Sequence, residues 1–166
     1  MFFSVPVPKN ENVLSYAPGS SERDNLVRAI ADLSKEIIEI PSIINGKEVF
    51  TGSTAYCIEP HNHQNKLAIY HKAGKKEIDL AIQSALAAHK EWENMPFYHR
   101  SAIFLKAAEL LSTKYRFLLN AATMLGQSKN IHQAEIDSAC ELIDFWRFNT
   151  YYAQKIYEQQ PLVSPK

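Results

Sequence analysis

From Ser128 to Ala153 the chain reads SKNIHQAEIDSACELIDFWRFNTYYA, with no glycine or proline. Wound at ~3.6 residues per turn, its apolar side chains do not form a narrow stripe. Ile131, Ala134, Ile136, Ala139, Cys140, Leu142, Ile143, Phe145, Trp146 and Ala153 together cover well over half the circumference. A helix of that kind is covered on most sides, so the pattern predicts a central strut. Its polar strip carries Gln133, Asp137, Glu141 and Asp144, with Tyr151 at the far end. The spacing 137, 141, 144 predicts three carboxylates on neighbouring turns of one face.

The remaining periodicities fall into two blocks. Residues 1–19 hold Pro6, Pro8, Pro18 and Gly19 and no helical period, which predicts an extended arm ahead of a unit spanning 20–166. Ser20 and Ser21 ahead of Glu22, Arg23 and Asp24 mark a helix start, and Leu26, Ile30, Leu33 and Ile37 continue at helical spacing. That helix is expected to stop before Pro41, since a residue preceding proline is driven out of the α region. Ser42–Ile44 and Lys47–Phe50 flank Asn45-Gly46, the signature of a type I′ hairpin. Ala55–Ile58 and Leu67–His71 predict two more strands, joined through Pro60-His61-Asn62-His63, and together a small antiparallel β patch. Beyond Gly74 the pattern is helical. One face is marked by Ile78, Ile82, Leu86 and Trp92, and a second, opened by Pro96, by Ile103, Phe104, Ala107 and Leu111. A third stretch, Tyr115–Leu125, is expected to end on Gly126. The segment is therefore mainly α-helical with a small β patch.

Composition narrows the function classes. The 166 residues suit one ordinary domain, and 46% apolar against 22% charged residues is globular. Lys plus Arg is 18 and Asp plus Glu is 18, so nothing draws the chain toward nucleic acid or an anionic membrane, and no apolar run suits a membrane span. Cys57 and Cys140 lack a CxxC spacing, which points to a reducing compartment. The first twenty residues have neither a basic region before an apolar core nor the arginines of an import presequence.

Each candidate for chemistry has a plainer reading beside it. His61 and His63 alternate like metal ligands, but two further donors are missing, and turn-capping or surface histidines account for them; no metal is expected. Asp137, Glu141 and Asp144 suit a cation or acid–base pair, or else a solvated helix face. Cys140 lies on the apolar side of the strut with no histidine beside it, which makes it a core cysteine. Gly126-Gln127-Ser128-Lys129 lacks the frame of a phosphate loop, and the 5 glycines include no dinucleotide turn. From the residues alone, no complete active site is present.

Whole segments nevertheless match a known family. They are Gly19–Asp24, IPSIINGKEVFTG (40–52), IEPHNHQNKLAIYHKA (58–73), AIQSALAAHKEWENMP (81–96), HRSAIFLKAAELL (99–111), TMLGQSKNIHQAEIDSACELIDFWRFN (123–149) and Gln159-Gln160-Pro161. From about Asn12 to Pro161, and most specifically from Gly126 to Asn149, the chain resembles the amino-terminal portion of the aldehyde dehydrogenase superfamily, in the branch that oxidises L-glutamate gamma-semialdehyde. The resemblance implies the α/β aldehyde dehydrogenase fold in a complete enzyme, NAD as cofactor, an aldehyde substrate from proline breakdown, a homo-oligomer and the mitochondrial matrix. It also implies that the thiolate nucleophile, oxyanion donor, general base and cofactor-binding strands lie beyond Lys166. Neither Cys57 nor Cys140 matches the nucleophile motif, so this chain is expected to hold no catalytic residue, to bind no NAD and to be inactive alone. One position carries over: Glu141, in ACELIDFW, corresponds to a glutamate bordering the aldehyde entrance. The alternative, from another class, is a non-catalytic module that associates with full-length subunits or another partner.

Overall fold

The computed structural model describes residues 4–159. The first three residues of the arm and the tail from Gln160, including Pro161, lie outside the described residues. Helix α1 (Ser21–Leu33) starts where Ser20 predicts, with the Ser20 hydroxyl accepting the Arg23 N–H at 3.3 Å. It ends earlier than expected. The Ser34 N–H and hydroxyl both bond back to the Ile30 carbonyl, at 3.1 and 2.8 Å, and close the last turn. Ile37 therefore lies outside the helix, and Ile38–Ile40 forms strand β1.

That strand adds a parallel pairing to the small antiparallel patch that the sequence predicts. β1 pairs in parallel with β5 (Asn62–His71), and β5 pairs antiparallel with β4 (Thr54–Glu59), giving the order β1-β5-β4. Glu39 on β1 reaches His71 Nε2 at 2.9 Å, while His71 Nδ1 accepts the Thr51 N–H at 3.0 Å. β5 begins at Asn62, so Asn62 and His63 belong to the strand and the turn is shorter than the sequence suggests. Strands β2 (Ser42–Ile44) and β3 (Lys47–Val49) form the predicted hairpin, with positive φ at Asn45 (52°) and Gly46 (70°).

Five helices follow among the described residues: α2 (Lys75–Asn94), α3 (Phe97–Ser112), α4 (Arg116–Gln127), a short α5 (Ile131–Ala134) and the long α6 (Glu141–Glu158). Pro96 stands at the N-cap of α3, as its fixed φ favours. Gly126 does not end α4. It stays helical, and Ser128 takes the left-handed conformation at φ 56° that stops the helix two residues later. Between α5 and α6 the predicted strut carries a π-helical turn, Glu135–Cys140. A wider turn of this kind shifts the phase of everything after it relative to what comes before, and Asp137 lies inside that turn. Among the described residues no helix is long and apolar enough to cross a membrane.

Two apolar clusters hold the helices. Ala108 and Leu111 of α3 meet Ala139 of the π turn and Ile143 of α6, with Leu119 and Trp146 packed against them. Tyr16 of the arm and Leu26 of α1 meet Ala121 of α4, with Leu14, Phe117 and Ile131 around them. Coverage of the strut is one-sided: Ile143 is fully buried, whereas Phe145 is 53% exposed.

Candidate functional site

The largest concentration of buried charge sits where the arm crosses the π turn, and the sequence pattern did not single it out. Glu135 is 0% exposed and accepts hydrogen bonds from five residues, the Cys140 thiol at 3.8 Å among them. Its Oε1 takes the Leu14 N–H at 2.8 Å and the Arg116 guanidinium; its Oε2 takes the Tyr16 hydroxyl at 2.7 Å and the Asn120 amide at 2.8 Å. Arg116 also donates to Glu11 Oε1 and to the Asn12 carbonyl, both at 2.6 Å. Glu11 in turn receives Arg147 on its other oxygen at 2.7 Å. Two carboxylates and two guanidiniums thus balance, which is the condition for charge to sit inside a protein at all.

Burial alone would raise the Glu135 pKa, but the hydrogen bonds from Arg116, Leu14, Tyr16 and Asn120 hold the carboxyl below its usual range. Burial likewise works against the Arg116 charge, and the pairing with Glu135 and Glu11 overrides it, raising that pKa. Tyr16 is raised by burial and by the adjacent Glu135 carboxylate. Cys140 lies under the same junction, and burial, then the Glu135 charge, pushes its thiol up to about 11. A thiol of that kind is protonated at neutral pH and is no nucleophile, in keeping with its reading as a core cysteine.

Beside this junction lies an open cavity of about 590 Å³, between the arm and the start of α6. Glu141 and Asp144 both line it, with Ile136, Phe145, and Asn10, Glu11 and Val13 of the arm. The structure therefore brings together two members of the predicted acidic strip. Asp137, inside the π turn, is not among the residues lining the cavity and pairs with Lys129 at 2.6 Å. Asp144 is not a free carboxylate: its two oxygens accept the Asn10 amide and the Glu11 N–H, each at 2.7 Å. Glu141 is exposed at the cavity and makes no hydrogen bond or ion pair among the described residues. His61 has both ring nitrogens engaged, with Ser128 at 2.7 Å and Glu59 at 2.6 Å, which fits the turn-capping role; His63 lies on β5.

A dinucleotide needs backbone N–H groups free at a glycine turn before a helix. The one strand–glycine–helix passage among the described residues runs from β5 through Gly74 into α2. There the Gly74 N–H is bonded to the Glu77 carboxylate at 2.9 Å, which sets negative charge where a pyrophosphate would lie.

The model of the aldehyde dehydrogenase family matches residues 49–166, and the chain belongs to that family. Within it, the chain is 51% identical over 160 residues to a probable delta-1-pyrroline-5-carboxylate dehydrogenase of Schizosaccharomyces pombe, covering 96% of this chain and 29% of that protein. It is 46% identical to the mitochondrial delta-1-pyrroline-5-carboxylate dehydrogenase of Homo sapiens, covering 94% of this chain and 28% of the human one. The crystal structure of the Mycobacterium tuberculosis delta-pyrroline-5-carboxylate dehydrogenase bound with NAD superposes with a TM-score of 0.95 at 43% identity, over 99% of this chain and 31% of that one. The chain thus spans under a third of the length of these relatives. The superposition supports the aldehyde dehydrogenase fold class expected for a complete enzyme.

Proposed function

We propose that this chain is the amino-terminal portion of an NAD-dependent dehydrogenase that oxidises L-glutamate gamma-semialdehyde to L-glutamate in proline catabolism, acting as a homo-oligomer in the mitochondrial matrix. The observation that carries the reading is the 43% identity at a TM-score of 0.95 to an enzyme of that name crystallised with NAD. Relatives named mitochondrial support the compartment. The nucleophile, the oxyanion donors and the cofactor belong to the rest of such an enzyme, because neither Cys57 nor the buried Cys140 matches the family's nucleophile motif and no phosphate-binding turn is present in the sequence. When bound, NAD accepts the hydride that leaves the aldehyde carbon. The 166 residues by themselves neither bind NAD nor turn over aldehyde.

Glu141 is the position through which this portion acts on the substrate. An unpaired carboxylate at an open cavity narrows the passage and repels anionic groups that come close. Glutamate semialdehyde is short and carries an amine for that carboxylate to attract. Glu141→Ala in the complete enzyme is expected to raise kcat/KM for longer aliphatic aldehydes while activity on glutamate semialdehyde falls or stays level. Parallel losses on both, with a depressed melting point, would make Glu141 a stability residue instead. The reading as a whole is tested by NADH formation: the complete enzyme produces NADH from glutamate semialdehyde and residues 1–166 do not. Saturable micromolar NAD binding by residues 1–166 in calorimetry would contradict it.

A further inference from the structure

The cavity at Glu141 has a wall that comes from far away in the chain. Asn10, Glu11 and Val13 lie in the arm, which has no regular secondary structure and so no backbone ladder to hold it. What fixes it is side-chain chemistry. Asp144, one turn beyond Glu141 on α6, accepts both the Asn10 amide and the Glu11 N–H at 2.7 Å, and Arg147 holds the Glu11 carboxylate at 2.7 Å. Both contacts of Asp144 are charge-assisted, the stronger class of hydrogen bond. The same turn of α6 therefore presents Glu141 to the cavity and clamps the opposite wall. Two residues past the Glu11 anchor, Val13, 55% exposed, is the apolar side chain that the arm offers to the cavity.

We propose that the arm is a specificity-determining wall of the aldehyde entrance, with Val13 the residue that limits the width of the passage and Asp144 the positioning residue that holds it there. Glu141 sets the charge of the entrance; Val13 sets its bore. This rests on the proposed function, since it takes the cavity as an aldehyde path. Removing the Asp144 clamp loosens the arm on the Asn10–Glu11 side of Val13, while Arg116 on the Asn12 carbonyl and Glu135 on the Leu14 N–H still hold the neighbouring backbone. Removing the Val13 methyls widens the passage while the clamp stays in place. A longer aldehyde gains in both cases.

The chain carries its own reporter of the clamp. Cys140 lies beneath the arm, its thiol 3.8 Å from the Asn12 carbonyl, whereas Cys57 stands on β4, away from it. Alkylation of residues 1–166 with iodoacetamide, read by peptide mass, is expected to leave Cys140 nearly unmodified. In Asp144→Ala and in Asn10→Ala, labelling of Cys140 rises on the order of tenfold through local opening, with Cys57 unchanged. Cys140 labelling that stays at the wild-type rate in both variants, or rises only together with Cys57, overturns the clamp. In the complete dehydrogenase, Val13→Ala raises the ratio of kcat/KM for hexanal to that for glutamate semialdehyde about fivefold, through KM. An unmoved ratio in an enzyme that does oxidise glutamate semialdehyde overturns the wall. A wild-type enzyme without that activity overturns the proposed function instead, and the labelling then still judges the clamp.

Discussion

The two flanks of α6 are built in opposite ways. On the arm side, five residues donate to the buried Glu135 carboxylate and the charges balance between Glu11, Glu135, Arg116 and Arg147. On the other side, α3 and α6 leave an aromatic cleft between Trp92, Phe104, Phe145 and Tyr157, all of them at least 40% exposed. Arg100 Nε and Ser101 Oγ are buried at that cleft and find no partner among the described residues. The arm side has Asn120 Oδ1 as its counterpart, but its buried ionised groups, Glu135 and Arg116, are paired. One flank is thus completed by residues of this chain, and the other keeps apolar surface and buried donors uncovered. The lesson is that a junction can be finished locally even where the surrounding core is not.

The sharpest way to break that comparison is Glu135→Ala. It leaves Arg116 half-paired and Tyr16 and Asn120 without their acceptor, and it is expected to cost about 3–5 kcal/mol of stability, read from urea unfolding. Acid does the same reversibly. A carboxyl whose folded pKa is lowered stabilises the fold fully above its unfolded value of ~4.3, and that contribution is lost as pH falls through the lowered folded value. The melting temperature is therefore expected to drop as pH is taken from about 5 to about 3, and Glu135→Gln to start lower and show a flatter profile. Tyr16→Phe removes a single hydroxyl from the junction and is expected to cost about 1–2 kcal/mol.

The open flank responds differently. Phe145→Ala is expected to change stability by less than about 1 kcal/mol, because the ring is already half in water. Uncovered aromatic surface of that kind favours association and dye binding. Residues 1–166 should accordingly bind ANS and self-associate, and Phe145→Ala should weaken both. A monomeric wild-type chain that ignores the dye would show that the cleft closes on itself.

Local signals were legible in the sequence. Ser20 as a cap, Asn45-Gly46 as a turn and Pro96 ahead of a helix each act through the backbone of their own few residues, and each holds. What was missed depends on distant partners or on phase. β1 is three residues long and finds its partner only at Ala68–Tyr70, so Ile37 and its neighbours read as more helix. Gly126 looked like the stop, but Ser128 takes the left-handed angle. Periodicity put Asp137 with Glu141 and Asp144, but Lys129, eight residues back, engages Asp137 away from the cavity that the other two line. Glu135 was passed over although it stands among Ala134, Ile136 and Ala139, the apolar positions of the strut. A charge there demands a buried partner, and Arg116, at the head of an equally apolar stretch, was the opposite charge in view. Their companions Glu11 and Tyr16 lie more than a hundred residues away along the chain, where no periodicity points.

The central claim is that an arm without secondary structure is held as firmly as the helices by two carboxylates, Asp144 and Glu135. Native-state hydrogen exchange tests it at two amides. The Glu11 N–H donates to Asp144 and the Leu14 N–H to Glu135, at 2.7 and 2.8 Å. Both are expected to be protected to within about tenfold of the amides of α4, and to lose that protection in Asp144→Ala and Glu135→Ala respectively. Exchange at Glu11 and Leu14 near the rate of an unfolded chain, while α4 stays protected, would contradict the account.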